Sequence, residues 1–182
     1  MPSSTPNARL FVDGYNMIGA WSFLKESKEQ HGLETARYDL VEALAGYATF
    51  QGYETEIVFD AQYNQAVGSR TPVNKYLWVS YTDPNQTADT YIEKSCARFY
   101  GKVQARHHRL IVATSDRAQQ LTVIGYGAEW MSAAQLLSDI EWIQKRITHK
   151  LRTAPKPNRH RLSNTLDPGV QKRLAQMRFG MK

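Results

Sequence analysis

The chain has 182 residues, 42% hydrophobic and 11% aromatic, enough to close one core and too apolar for wholesale disorder. Its net charge of +6 is divided: residues 1–143 hold 12 Lys and Arg against 16 Asp and Glu, whereas residues 144–182 hold 11 against one. No apolar run approaches the roughly 18 residues of a membrane span, and an acidic body with a basic tail suits a protein that meets a polyanion, a merely solvated tail being the alternative.

Residues 1–8 read as a short polar arm without the basic and apolar regions of a signal peptide, and the single Cys96 cannot form an internal disulfide. Both features point to a cytoplasmic protein. Residues 9–12 form a short apolar strand ending at Asp13-Gly14. Residues 35–50 carry Leu40, Leu44 and Tyr47 at helical spacing, with Gly52 as the stop. A β-rich strand over 54–59 ends at Asp60, and residues 62–74, polar and containing Gly68 and Pro72, read as a mobile loop. A third strand spans 76–81. Thr87 caps a helix running to about residue 100, and residues 110–114 make a fourth strand. Ser115 or Asp116 caps the next helix, which stops near Gly125 or Gly127. Residues 129–131 offer a short fifth strand, and Ser132-Ala133-Ala134-Gln135 is a capping box opening a helix of about twenty residues. This βαβ rhythm predicts an α/β fold with a mainly parallel sheet of four to five strands flanked by helices.

From residue 153 the chain turns irregular around Pro155 and Pro157. Asp167-Pro168 then opens a last helix whose apolar stripe is Leu166, Val170, Leu174 and Met177. The expected organisation is an arm (1–8), one domain (9–152) and a basic extension (153–182).

Asp13 and Asp116 each follow an apolar strand, and Asp89 opens the intervening helix. Open α/β sheets bind ligands in the crevice beyond the carboxyl ends of their strands. Carboxylates converging there repel one another, and the usual remedy is a hard cation, Mg²⁺ or Mn²⁺, held by oxygen. The pattern therefore reads as a metal-dependent phosphodiesterase site. Glu93, four residues after Asp89, shares its helix face. Asn16 either orients a scissile phosphate or a metal-bound water, or caps a helix. Thr114 and Ser115 could hold Asp116 or bind phosphate, and Asp60 ranks below these acids. Arg70 and Lys75 are expected to flank the substrate channel, and Lys156, Arg159 and Arg161 to bind nucleic acid from the tail. The five histidines show no metal spacing, and Cys96 belongs to the core. A haloacid-dehalogenase-type phosphatase is disfavoured because Tyr15 stands where a second Asp is needed. A receiver domain is disfavoured because the fifth strand lacks a following Lys.

Asp13-Gly14-Tyr15-Asn16-Met17-Ile18, Ala36-Arg37, Val58-Phe59-Asp60-Ala61, Thr87-Ala88-Asp89 with Ile92-Glu93, Thr114-Ser115-Asp116 and Gly127-Ala128 resemble the YacP-like NYN domain family, which belongs with the PIN-like nucleases. The resemblance runs from about residue 10 to 151 and extends to the 167–180 helix, but not to the proline-rich 153–161. It implies a metal-dependent endoribonuclease acting on single-stranded RNA, with some members associated with ribosomes and mRNA decay. By motif match, Asp13, Asp89 and Asp116 become metal-site carboxylates assisted by Glu93 and Asn16. The alternative is a non-catalytic RNA- or ribosome-binding protein that retains the fold.

Overall fold

Strand β1 (Ala8–Asp13) is buried along nearly its whole length, with Leu10, Phe11 and Val12 fully buried. A strand of this kind belongs inside a parallel sheet covered by helices. The computed structural model, which describes residues 6–61, 68–100 and 109–153, places β1 between two parallel neighbours, β2 (Tyr53–Phe59) and β5 (Arg109–Ala113). Outside β2 lies β4 (Leu77–Tyr81), and outside β5 lies β6 (Glu129–Met131), both parallel. The sheet order is β3-β4-β2-β1-β5-β6. The expected mainly parallel sheet is therefore present, with one strand more. That strand, β3 (Arg70–Pro72), pairs antiparallel with β4 inside the segment expected to be a loop. Its three residues are all exposed and it ends on Pro72, which suits an edge strand.

Among the described residues, six helices accompany the sheet: α1 (Gly14–Ala20), α2 (Ser22–His31), α3 (Leu33–Gln51), α4 (Ala88–Tyr100), α5 (Arg117–Gly125) and α6 (Ala133–Thr153). Helices α1 and α2 are not apparent from the sequence pattern. The first has only seven residues, including Gly14 and Gly19, and the second buries Leu24 alone. The first has weak intrinsic propensity, the second has good helix formers but no apolar stripe to announce it, and packing of Met17, Ile18, Trp21 and Leu24 holds them in place. The Trp21 indole Nε1 also donates to the Ala133 carbonyl at 2.8 Å, fastening the α1–α2 corner to the start of α6. Gly52 ends α3 in the left-handed conformation (φ 65°), as its position after the periodic segment suggests. Ser132 Oγ accepts from the Gln135 N–H at 3.1 Å, as expected for the α6 cap.

Glu56, in the middle of β2, is 1% exposed yet well compensated. It accepts from Ser80 Oγ (2.7 Å), Tyr91 OH (2.6 Å) and Arg9 (3.1 Å), and Arg70 stands 3.3 Å away. Burial alone would push its pKa up, but the hydroxyls and guanidiniums outweigh that and hold it below the usual range. Because Tyr91 lies on α4, this buried acceptor also fastens α4 to the sheet. Cys96 is buried with Phe11, Val58 and Ile92, and burial pushes its thiol up to about 11, so it serves as core.

The chain divides into two compact units, Met1–Arg146 and Ile147–Lys182, the boundary falling within α6. Within the second unit only residues 147–153 are described. The expected helix over 167–180, and Lys156, Arg159 and Arg161, lie outside the described residues.

Gly14 sits at the turn from β1 into α1, and a Cβ there would run into the Phe59 ring. Gly14→Ala should therefore lower the thermal midpoint, at a cost on the order of 1–3 kcal/mol, and the cost should shrink in a Phe59→Leu background. A double-mutant cycle by thermal unfolding reads this. Equal costs in both backgrounds would mean that the ring is not the constraint.

Candidate active site

All five parallel strands end at one edge of the sheet, and the chain leaves β1 toward β2 on one side while β5 lies on the other. A crevice therefore opens at the end of β1. Asp13 closes β1 and is only 8% exposed. It also caps α1, one carboxylate oxygen accepting from the Asn16 N–H at 3.1 Å. Asn16 in turn reaches across the crevice: its Oδ1 accepts from the Ser115 N–H at 2.6 Å, a contact between residues 99 apart in sequence. Asn16 thus ties the turn after β1 to the turn after β5, and neither of its two expected roles describes this contact.

The turn after β5 is held from several directions. Thr114 N–H donates to the Met131 carbonyl, Trp130 Nε1 donates to the Thr114 carbonyl, and Thr114 Oγ1 accepts from the Asp116 N–H at 3.0 Å. Asp116 caps α5, accepting from the N–H groups of Ala118 (2.7 Å) and Gln119 (3.0 Å). Asp60, at the end of β2, accepts from the Ala88 N–H at 2.7 Å and so secures the start of α4. Asp89 then lies in the first turn of α4, where the helix dipole favours an anion. Glu93 follows one turn later.

The electrostatics show that these acids share one neighbourhood. Burial raises Asp13 to about 7, and the charges of Asp89 and Asp60 add to that, although the Asn16 N–H pulls the other way. Burial also raises Asp89, with further contributions from Asp116, Asp60 and Glu93. The side chains of Asp13 and Asp89 are close enough to perturb one another's ionisation. The structure therefore brings Asp13, Asp89, Glu93 and Asp116 together and adds Asp60. In the sequence, Asp60 carries the same signal as Asp13, an Asp closing a strand. It ranks lower there because an Asp before a loop is common.

Carboxylate oxygens that repel one another are the donor type that a hard divalent cation takes. Among the described residues, no three acids or histidines are gathered at metal-ligand spacing.

Arg70 and Lys75 are not beside this cluster. The Arg70 guanidinium points back along the sheet to Glu56 (3.3 Å) and Glu54 (3.7 Å) and packs over the Trp78 ring. Lys75 precedes Leu77, which pairs with Thr55 near the start of β2. It therefore lies at the amino-terminal edge of the parallel strands, with its ammonium 5.0 Å from the Tyr76 ring centroid. The register explains the correction: a strand of five residues separates Lys75 from the carboxyl edge, about 16 Å at ~3.3 Å per residue.

The YacP-like NYN domain model matches residues 10–179. The chain is 39% identical over 150 residues to the uncharacterized protein YacP of Bacillus subtilis (strain 168), an alignment covering 81% of this chain and 85% of that one. A crystal structure of a single-residue mutant of Rae1 (YacP) from Bacillus subtilis superposes with a TM-score of 0.68 at 33% identity, covering 93% of this chain and 99% of the other. A second structure of Rae1 (YacP) from Bacillus subtilis gives 0.66 at 35% identity, with 94% of each chain covered.

The raised pKa of Asp13 carries a pH signature. Between its ordinary value of 3.8 and about 7 the folded chain holds a proton that the unfolded chain has lost. Its contribution to stability therefore falls as pH rises through that window and levels off above it. Asn keeps the cap on α1 but does not titrate. In a chelator, the midpoint advantage of Asp13→Asn over wild type should be smallest near the bottom of the window and largest above it. An advantage independent of pH would show that Asp13 is not the perturbed acid.

Proposed function

This chain belongs to the YacP-like NYN domain family, with its PIN-like nuclease fold, and from that premise we propose that it is a metal-dependent endoribonuclease that hydrolyses single-stranded RNA in RNA decay. The observation that carries the reading is the acidic cluster at the carboxyl edge of β1, in which Asp13 is buried and Asp13 and Asp89 both ionise less readily than ordinary carboxylates. A fold needs no such cluster. A cationic cofactor does.

Asp13, Asp89 and Asp116 are the residues that would hold Mg²⁺ or Mn²⁺, with Glu93 and Asp60 contributing charge. When bound, the cation activates water and stabilises charge on a phosphate undergoing in-line displacement. The chain's own residues provide the frame. Asn16 fixes the spacing between the turns that bear Asp13 and Asp116, and Thr114 and Trp130 fix the second of those turns. Asp60 and Tyr91 set the position of α4, and through it Asp89 and Glu93. Such hydrolysis leaves 5′-phosphate and 3′-hydroxyl ends.

The basic residues of 144–182, including Lys156, Arg159 and Arg161, supply sequence-independent attraction to RNA. The ribosome, with mRNA on it, is the partner we favour for that tail, and the cytoplasm is the matching location. Among the described residues, no helix is long and apolar enough to cross a membrane.

Asp13→Asn, Asp89→Asn and Asp116→Asn should each abolish cleavage of single-stranded RNA in Mn²⁺ while binding to RNA stays within about twofold of wild type, since no phosphate-binding cation is removed. End-group analysis of wild-type products should find 5′-phosphates. Full activity in all three variants would overturn the assignment of these acids, and wild-type protein that binds RNA in Mn²⁺ without cutting it would leave the non-catalytic RNA-binding alternative.

A further inference from the structure

A polyanion cannot approach a cluster of carboxylates unless nearby cations offset the repulsion, so the disposition of the body's basic side chains is informative. Arg9, Arg37, Arg70 and Arg109 are each engaged with a carboxylate. Lys75 lies at the far edge of the sheet. Lys25 and Lys28, both exposed on α2, are, like Lys94, Arg98 and Arg117, in no ion pair among the described residues. Three apart on one helix, Lys25 and Lys28 are surface neighbours.

Both lysines line a cleft of about 450 Å³ whose other walls include Tyr15, Ile18 and Leu33, a volume within the usual range for a small ligand. The cleft adjoins the acidic crevice through Tyr15. That residue is two positions after Asp13, and its ring packs at 5.1 Å against Phe59, the residue before Asp60. Glu29 also lines the cleft and would repel a phosphate, confining any anion to the side bearing Lys25 and Lys28.

Building on the nuclease reading, we propose that this cleft seats one nucleotide of the RNA strand beside the scissile bond. Lys25 and Lys28 meet its backbone phosphate, and the apolar wall of Tyr15, Ile18 and Leu33 receives its sugar or base. Cations beside an aromatic-apolar wall are the composition that binds single strands with little sequence preference. The cleft takes the role that the sequence pattern assigned to Arg70 and Lys75.

The test is binding of a short single-stranded RNA to the full chain in a chelator, read by fluorescence anisotropy across a salt series. Removing two phosphate-binding cations should flatten the slope of log K against log salt by about 1.4, and weaken binding near physiological salt by about tenfold. Lys25→Ala/Lys28→Ala should show both effects, and Lys75→Ala neither. A double variant with the wild-type slope overturns the proposal. Because the measurement needs no turnover, it separates from the reading it builds on. An active nuclease whose slope ignores Lys25 and Lys28 loses only the cleft. A protein that binds through these lysines but never cuts loses only the catalysis.

Discussion

An uncompensated carboxylate held inside protein is the constraint on which the rest of this molecule turns. Strand β1 is buried on both faces and ends in Asp13, so that side chain leaves the sheet where little water reaches it. The Asn16 N–H donates to it, whereas Asp60 and Asp89 press their charges upon it. A fold selected for stability alone would place a neutral residue at this position. The surrounding structure consequently has to withstand the repulsion: three of the acids, Asp13, Asp60 and Asp116, double as acceptors for backbone N–H groups at helix starts, which uses the positive helix ends to offset part of it.

Glu56 shows how the same sheet treats a buried acid that has no such task. It is more completely buried than Asp13, yet two hydroxyls and two arginines surround it, and its pKa moves in the opposite direction. The contrast lies within one strand spacing, since Glu56 pairs in register with Phe11 of β1. Compensation is therefore available in this fold and is withheld at the carboxyl edge. The two acids are also mechanically linked, because Tyr91 binds Glu56 from the same helix that carries Asp89 and Glu93. The well-satisfied site supports the unsatisfied one.

Charge is separated on a larger scale as well. Several of the domain's arginines are consumed in ion pairs that brace the sheet, including Arg9 and Arg70 on Glu56 and Arg109 on Glu129. The paired cations cannot also serve a polyanion without giving up a partner. Lysines outside such pairs, and the basic residues beyond 143, are the candidates for that purpose. The compact ammonium suits nonspecific phosphate contact, while the planar guanidinium suits fixed bidentate pairing.

Most of the parallel sheet could be read from the chain, because apolar runs such as Leu10-Phe11-Val12 and Ile57-Val58-Phe59 mark strands buried on both faces. Gly52, Asp116 and Ser132 mark helix ends by local chemistry that tertiary context does not alter. The acids at strand ends were legible for the same reason: period and punctuation determine which residue closes a strand. Helices α1 and α2 and strand β3 were not legible: α1 and β3 are short with weak local propensity, and α2, although made of good helix formers, buries only Leu24 and so shows no apolar period. Sequence places Arg70 and Lys75 near a turn, but only the pairing of β3 with β4 and β4 with β2 turns one toward Glu56 and sends the other to the opposite edge. Charge patterns along a chain determine what a protein can attract. Which cations remain available for it is decided by partners many residues away, and those exist only once the sheet has formed.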